Sequence, residues 1–78
     1  MVEIHRTLDV TGTLCPLPVI EVRTAMDKME KGQVLQVIAS DPGSRRDIPA
    51  WARRTGHELL EVKESGDKFI FLLRKGGD

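Results

Sequence analysis

The sequence predicts a two-layer α/β (α+β) sandwich of order βαβαββ, a mixed four-stranded sheet carrying two helices on one face. Three observations lead there. Apolar residues alternate in the first ten positions and again after Gly56; between Pro16 and Lys31 they recur at three- and four-residue spacing; and a glycine or an Asp-Pro-Gly breaker closes each of the middle stretches. At 78 residues the chain has room for one domain, with a core over about residues 7–75 and a frayed tail at 76–78.

The elements follow in order. Ile4, Leu8 and Val10 share one alternating register, the pattern of a half-buried strand, and Arg6 interrupts it so that a late start is allowed. A helix is expected from about Pro16 to Lys31. Val19, Val22, Met26 and Met29 make its apolar stripe, Glu21, Thr24, Asp27, Lys28 and Glu30 take the other face, and Gly32 is the stop. Val34 to Ala39, with Gln36 inside it, reads as a central strand bounded by Gly32 and Asp41-Pro42-Gly43.

A second helix is expected within Ser44 to Thr55, with Ile48, Trp51 and Ala52 buried and Gly56 as its stop. Ser44 and Asp47 are the candidate caps. Pro49 fits a first turn, which favours Asp47 and leaves the residues before it as a turn or irregular helical lead-in. The last third is a hairpin: Glu58 to Glu64, a turn at Ser65-Gly66-Asp67, then Lys68 to Arg74 with Phe69, Phe71 and Leu73 alternating against Ile70 and Leu72.

Composition narrows the function. Twelve acidic residues balance twelve Lys plus Arg, so the formal net charge is zero, which argues against wholesale coating of nucleic acid or an anionic membrane but permits a local basic face. The N-terminus lacks the cationic start and apolar run of a secretory signal, and no stretch of about eighteen apolar residues exists, so a cytoplasmic protein with no membrane partner is expected. With one cysteine there is no internal disulfide, and the core must supply the stability.

That cysteine, Cys15, stands in Gly12-Thr13-Leu14-Cys15-Pro16-Leu17-Pro18, where a strand loop meets a helix start. The partial positive charge and unpaired N–H groups of a helix N-terminus favour thiolate over thiol. With Cys15 as the cap, Pro16 is the first helical residue, where its missing N–H is no loss, and Pro18 removes the third-position donor, leaving the Leu17 N–H as the regular donor to sulfur. The thiolate is then held by the helix dipole and few hydrogen bonds, ionised yet able to pass on what it carries. Free cysteine is often a buried hydrophobe. A position between a glycine-containing turn and a Pro-x-Pro helix start is a poor place for core packing, so the working-thiol reading is preferred.

Leu8-Asp9, Gly12 and Cys15-Pro16-Leu17-Pro18 resemble the Cys-Pro-x-Pro start of the TusA/SirA family. Asp41-Pro42, Asp47-Ile48-Pro49-Ala50-Trp51 and Gly56-His57-Glu58-Leu59 resemble its later landmarks in the same order, so the likeness runs from about Thr7 to Lys75. The resemblance implies a βαβαββ domain whose Cys15 accepts persulfide sulfur from a donor protein and passes it to an acceptor protein, with Pro16 and Pro18 as structural supports on either side of the Leu17 donor; a monomer is expected when free. Donors in the family are cysteine desulfurases and rhodanese-like or DsrE-like proteins; acceptors serve tRNA thiolation, molybdenum-cofactor assembly or sulfur oxidation. No cofactor is implied, since the sulfur is carried covalently. Some members have a second cysteine near the position of Ala52; without it this chain cannot resolve its persulfide into an intramolecular disulfide.

Other residues were weighed beside Cys15. Asp41 fits a turn before Pro-Gly better than a carboxylate acting on the thiol, and Asp47 fits a helix cap better than a proton carrier. His5 and His57 with one cysteine lack the spacing of a zinc site, so no metal is expected. Arg23, Arg45, Arg46, Arg53 and Arg54 read equally as a docking surface for an acidic partner or as the solvated side of amphipathic helices. Two competing functions stay open: an RNA- or protein-binding regulatory module using the basic face of the second helix, and a redox sensor reading oxidant through Cys15. Direct nucleic-acid binding is disfavoured, because one Trp, two Phe and no Tyr supply little base stacking.

Overall fold

A computed structural model describes residues 3–12 and 17–76 of the chain, with Leu17 and Pro18 described by their backbone. The elements are β1 (Arg6–Asp9), α1 (Leu17–Asp27), β2 (Val34–Ala39), α2 (Ser44–Thr55), β3 (Glu58–Ser65) and β4 (Lys68–Arg74), in the expected βαβαββ order. The four strands form one mixed sheet in the order β1-β2-β4-β3. β1 runs parallel to β2, and β4 pairs antiparallel with both β2 and β3.

Register aligns the core. Leu8, Val37, Phe71 and Val62 face one another across the sheet, and Leu35, Leu73 and Leu59 make the next row. Both rows lie on the helix side, where Leu35, Val37, Phe71 and Leu73 pack in one buried cluster with Val22 and Met26 of α1 and Ile48, Trp51 and Ala52 of α2. The other face carries Gln36, Ile38, Ile70 and Leu72, none of them fully covered. Of the residues expected to alternate in the first strand, Val10 is buried and Leu8 half-buried, but Ile4 is 42% exposed because β1 starts only at Arg6. The edges are managed: β1 has four residues, and β3 carries an irregularity between Leu59 and Glu61 that interrupts its ladder.

Three expectations need correction. α1 ends at Asp27 rather than Lys31: Lys28 N–H donates to the Ala25 carbonyl at 3.2 Å and Met29 N–H to Met26 at 3.0 Å, so the last turn tightens to three-residue bonds while Met29 stays buried. Gly32 lies beyond the helix and donates to the Lys75 carbonyl at 2.8 Å. α2 begins at Ser44 with Gly43 at the cap position, so neither Ser44 nor Asp47 occupies it, and Asp47 lies in the first turn. Ser44, Arg45 and Arg46 N–H groups donate to the Asp41, Pro42 and Gly43 carbonyls, winding the breaker itself into the helix start. Pro49 therefore stands inside the helix, not in its first turn. The C-terminal end is as expected: Gly56 adopts φ 84°, a left-handed cap suited to glycine, and its N–H donates to the Ala52 carbonyl.

The third correction concerns the tail. Gly76 is tied down rather than frayed, together with Lys75 before it: Lys75 N–H donates to the Gln33 carbonyl at 2.8 Å, its ammonium donates to the Met29 carbonyl, and Gly76 N–H donates to His57 Nδ1 at 3.0 Å. The amine thus satisfies a carbonyl left over just past α1. A side chain at Gly76 would put its Cβ 2.5 Å from the Gly56 carbonyl oxygen, so only glycine fits this approach. Gly77 and Asp78 lie outside the described residues.

His57 makes this anchor sensitive to acid. Burial first, then the neighbouring Lys75 ammonium, lowers its pKa from the ordinary 6.5, with Asp27 opposing. The folded state thus binds fewer protons than the unfolded chain once the pH drops below 6.5, so stability is lost as the pH falls from there towards the lower folded value. Protonation also places a hydrogen on Nδ1 and removes the acceptor for Gly76. Melting temperatures measured between about pH 7.5 and 5.5 should fall for wild type and fall less for His57→Gln. Equal slopes would show that His57 does not carry the dependence.

Candidate functional site

The loop leaving β1 is held at several points. Val10 N–H donates to the Ile38 carbonyl at 2.8 Å, extending the pairing with β2. Asp9 Oδ1 accepts from the Thr11 hydroxyl at 2.6 Å and from the Thr11 N–H at 2.9 Å, and these two bonds, the hydroxyl first, hold the Asp9 carboxyl below its usual pKa. Gly12 N–H then donates to Ser40 Oγ at 2.8 Å, pinning the loop to the residue that follows β2. Cys15 and Pro16 lie outside the described residues, and α1 is described from Leu17. In sequence, Cys15 and Pro16 therefore fall between an anchored turn at the C-terminal ends of two parallel strands and the start of a helix. Such ends are where ligands and reacting groups gather in parallel α/β sheets.

The five arginines do not form one face. Arg45 is paired with Glu64 of β3 at 2.8 Å. Arg53 lines a small hollow with Pro49, Ala52, His57 and Leu59, and Arg46 is exposed. Arg23 and Arg54 come together from the two helices, lining a groove of 640 Å³. Its other walls include Ile20 and Asp27 of α1, Trp51 of α2, and His57 and Lys75. The His57 ring lies 5.0 Å from that of Trp51. Because Nδ1 accepts from Gly76, the proton of the neutral imidazole sits on Nε2.

Several of these partners were missed in the sequence. Asp27 is one helical turn beyond Arg23, a spacing that signals a shared face. Lys75 gave no signal, since its place depends on how β4 ends against α1. Ser40 and Thr11 carry no signal in the sequence that sets them apart from ordinary loop residues. Asp41 sits in the turn before α2, its carbonyl accepting from Ser44 at 2.9 Å. Trp51 is buried, as expected of a core residue. Among the described residues no group of three His, Cys, Asp or Glu side chains is arranged to hold a metal, and no helix is long and apolar enough to cross a membrane.

Comparison with known proteins decides the family. The model of the family described as sulfurtransferase TusA matches residues 6–75. The chain belongs to the TusA family. Among its relatives, the sulfur carrier protein TusA of Allochromatium vinosum is 48% identical over 75 residues, covering 96% of this chain and 99% of that one. A putative sulfur carrier protein of Bacillus subtilis, YrkI, is 41% identical over 71 residues, covering 91% and 95%. The crystal structure of a SirA-like protein from Desulfitobacterium hafniense superposes with a TM-score of 0.74 at 28% identity, covering 94% of this chain and 99% of that one. The TusA-family match takes in every element from β1 to β4, together with Cys15-Pro16-Leu17-Pro18.

Proposed function

We propose that the chain is a sulfur carrier that holds persulfide sulfur on Cys15 and relays it between two proteins. The observation that carries this reading is Cys15-Pro16-Leu17-Pro18, which in sequence follows the anchored Gly12 and runs into the start of α1, in a chain similar over nearly its whole length to a sulfur carrier protein. The Cys15 thiolate attacks the outer sulfur of a donor persulfide. A new S–S bond forms to Cys15, the donor S–S bond breaks, and the donor leaves as a thiolate. An acceptor thiolate then attacks the outer sulfur on Cys15, which returns to thiolate. Both steps are exchanges with no net oxidation, so no cofactor is required.

A cysteine desulfurase, a rhodanese-like protein or a DsrE-like protein fits the donor role. The acceptor would act in tRNA thiolation, molybdenum-cofactor assembly or sulfur oxidation. Of the five arginines, Arg23, Arg46, Arg53 and Arg54 are the docking candidates. Arg45 contributes least, because Glu64 already neutralises it. The test is a reconstituted relay in which a desulfurase is given cysteine carrying radiolabelled sulfur. Label on this chain, removed by dithiothreitol and delivered to an acceptor, is expected; label that never enters the chain would overturn the carrier reading.

A further inference from the structure

The groove between α1 and α2 holds two arginines that, among the described residues, have no ion pair. Arg23, Arg54 and Lys75 line it against Asp27 alone. Two other exposed arginines are neutralised, Arg45 by Glu64 at 2.8 Å and Arg74 by Glu58 at 2.9 Å. Among the described residues neither Arg23 nor Arg54 has a carboxylate within ion-pair distance. Beside these cations stands an apolar wall, with Ile20 left 51% exposed and Trp51 behind it. The 640 Å³ volume falls within the range of roughly 300–1,000 Å³ typical of small-molecule sites.

We propose that this groove binds a small organic anion of about tripeptide size, carrying two carboxylates for Arg23 and Arg54 and an ammonium group for Asp27. Guanidinium forks match carboxylates in pairs of parallel hydrogen bonds, which favours a dicarboxylate over a point charge. Lys75 adds charge, neutral His57 has an Nε2–H to donate, and Ile20 with Trp51 receives the carbon skeleton. A bare inorganic anion would leave that apolar wall in water. The site is independent of the carrier chemistry, since binding makes and breaks no bond at Cys15.

S-methylglutathione is a suitable probe, having two carboxylates, one ammonium and no free thiol. An amide-resolved NMR titration should give saturable shifts at Ile20, Arg54, Thr55 and His57. Arg23→Gln and Arg54→Gln should each weaken binding about tenfold, the loss expected for one charge-assisted contact, whereas Arg45→Gln outside the groove should leave it unchanged. Asp27→Asn should weaken the tripeptide but not glutarate, which has no ammonium. Cys15→Ser should bind as wild type does, so this result and the carrier test fail separately. The proposal is overturned by no saturable shift up to about 10 mM probe, by equal shifts from sulfate at matched ionic strength, or by an equal loss in Arg45→Gln.

Discussion

Replacing Phe71 with alanine is expected to remove a large share of the protein's stability. Phe71 is fully buried at the centre of the sheet, paired with Val37 on one side and Val62 on the other, and it belongs to the cluster on which both helices rest. Truncating a buried phenylalanine costs about 3–5 kcal/mol, through lost apolar burial and the cavity left behind. A chain of 78 residues has a total stability of about 4–12 kcal/mol. The variant should therefore melt well over about 10 °C lower, or fail to fold at physiological temperature. Leu72 provides the control: it is the next residue along β4, points to the open face and is only half-buried, so Leu72→Ala should cost distinctly less. Equal losses in urea titrations of the two variants would mean that the core does not lie where the register puts it.

The second large effect is on function. Cys15→Ser is expected to abolish sulfur transfer to an acceptor while leaving the fold intact. A serine hydroxyl does not ionise near neutral pH and forms no S–S bond, so neither exchange step has a nucleophile or a place for the sulfur. No other cysteine exists in the chain to take over. In a reconstituted relay the delivered label should fall to the level seen without the protein, and the melting temperature should stay within a few degrees of wild type, since serine has nearly the shape of cysteine. A Cys15→Ser variant that still relays sulfur would move the reaction away from this residue. A variant that binds RNA as wild type does, and loses binding only when Arg46, Arg53 and Arg54 are removed, would favour the regulatory module instead.

Much of this architecture was legible because each element obeys its own period. Val22 and Met26 fall on one helical stripe, Phe71 and Leu73 on one strand face, and Gly56 at a helix end, all local features. What local reasoning missed depended on contacts between elements. Pro49 marks a first turn by propensity, yet the Asp41-Pro42-Gly43 carbonyls start α2 early and carry it through the proline. Gly76 reads as tail because the partners that hold it and Lys75 are distant in sequence: Met29 and Gln33 in the connection after α1, and His57 after α2. The arginines divide for the same reason. Their spacing along α2 says which share a helix face, but Glu64 on β3 and Arg23 on α1 determine which are neutralised and which meet across a groove. The insertion of β4 between β2 and β3 is likewise a matter of pairing, which periodicity does not encode.

The central claim is that Cys15 carries sulfur, and intact-protein mass spectrometry tests it most directly. Wild type and Cys15→Ala are incubated with a desulfurase plus cysteine, and separately with polysulfide. The carrier reading predicts a gain of about 32 Da on wild type alone, reversed by dithiothreitol. No gain with either source, or an equal gain on Cys15→Ala, would contradict it.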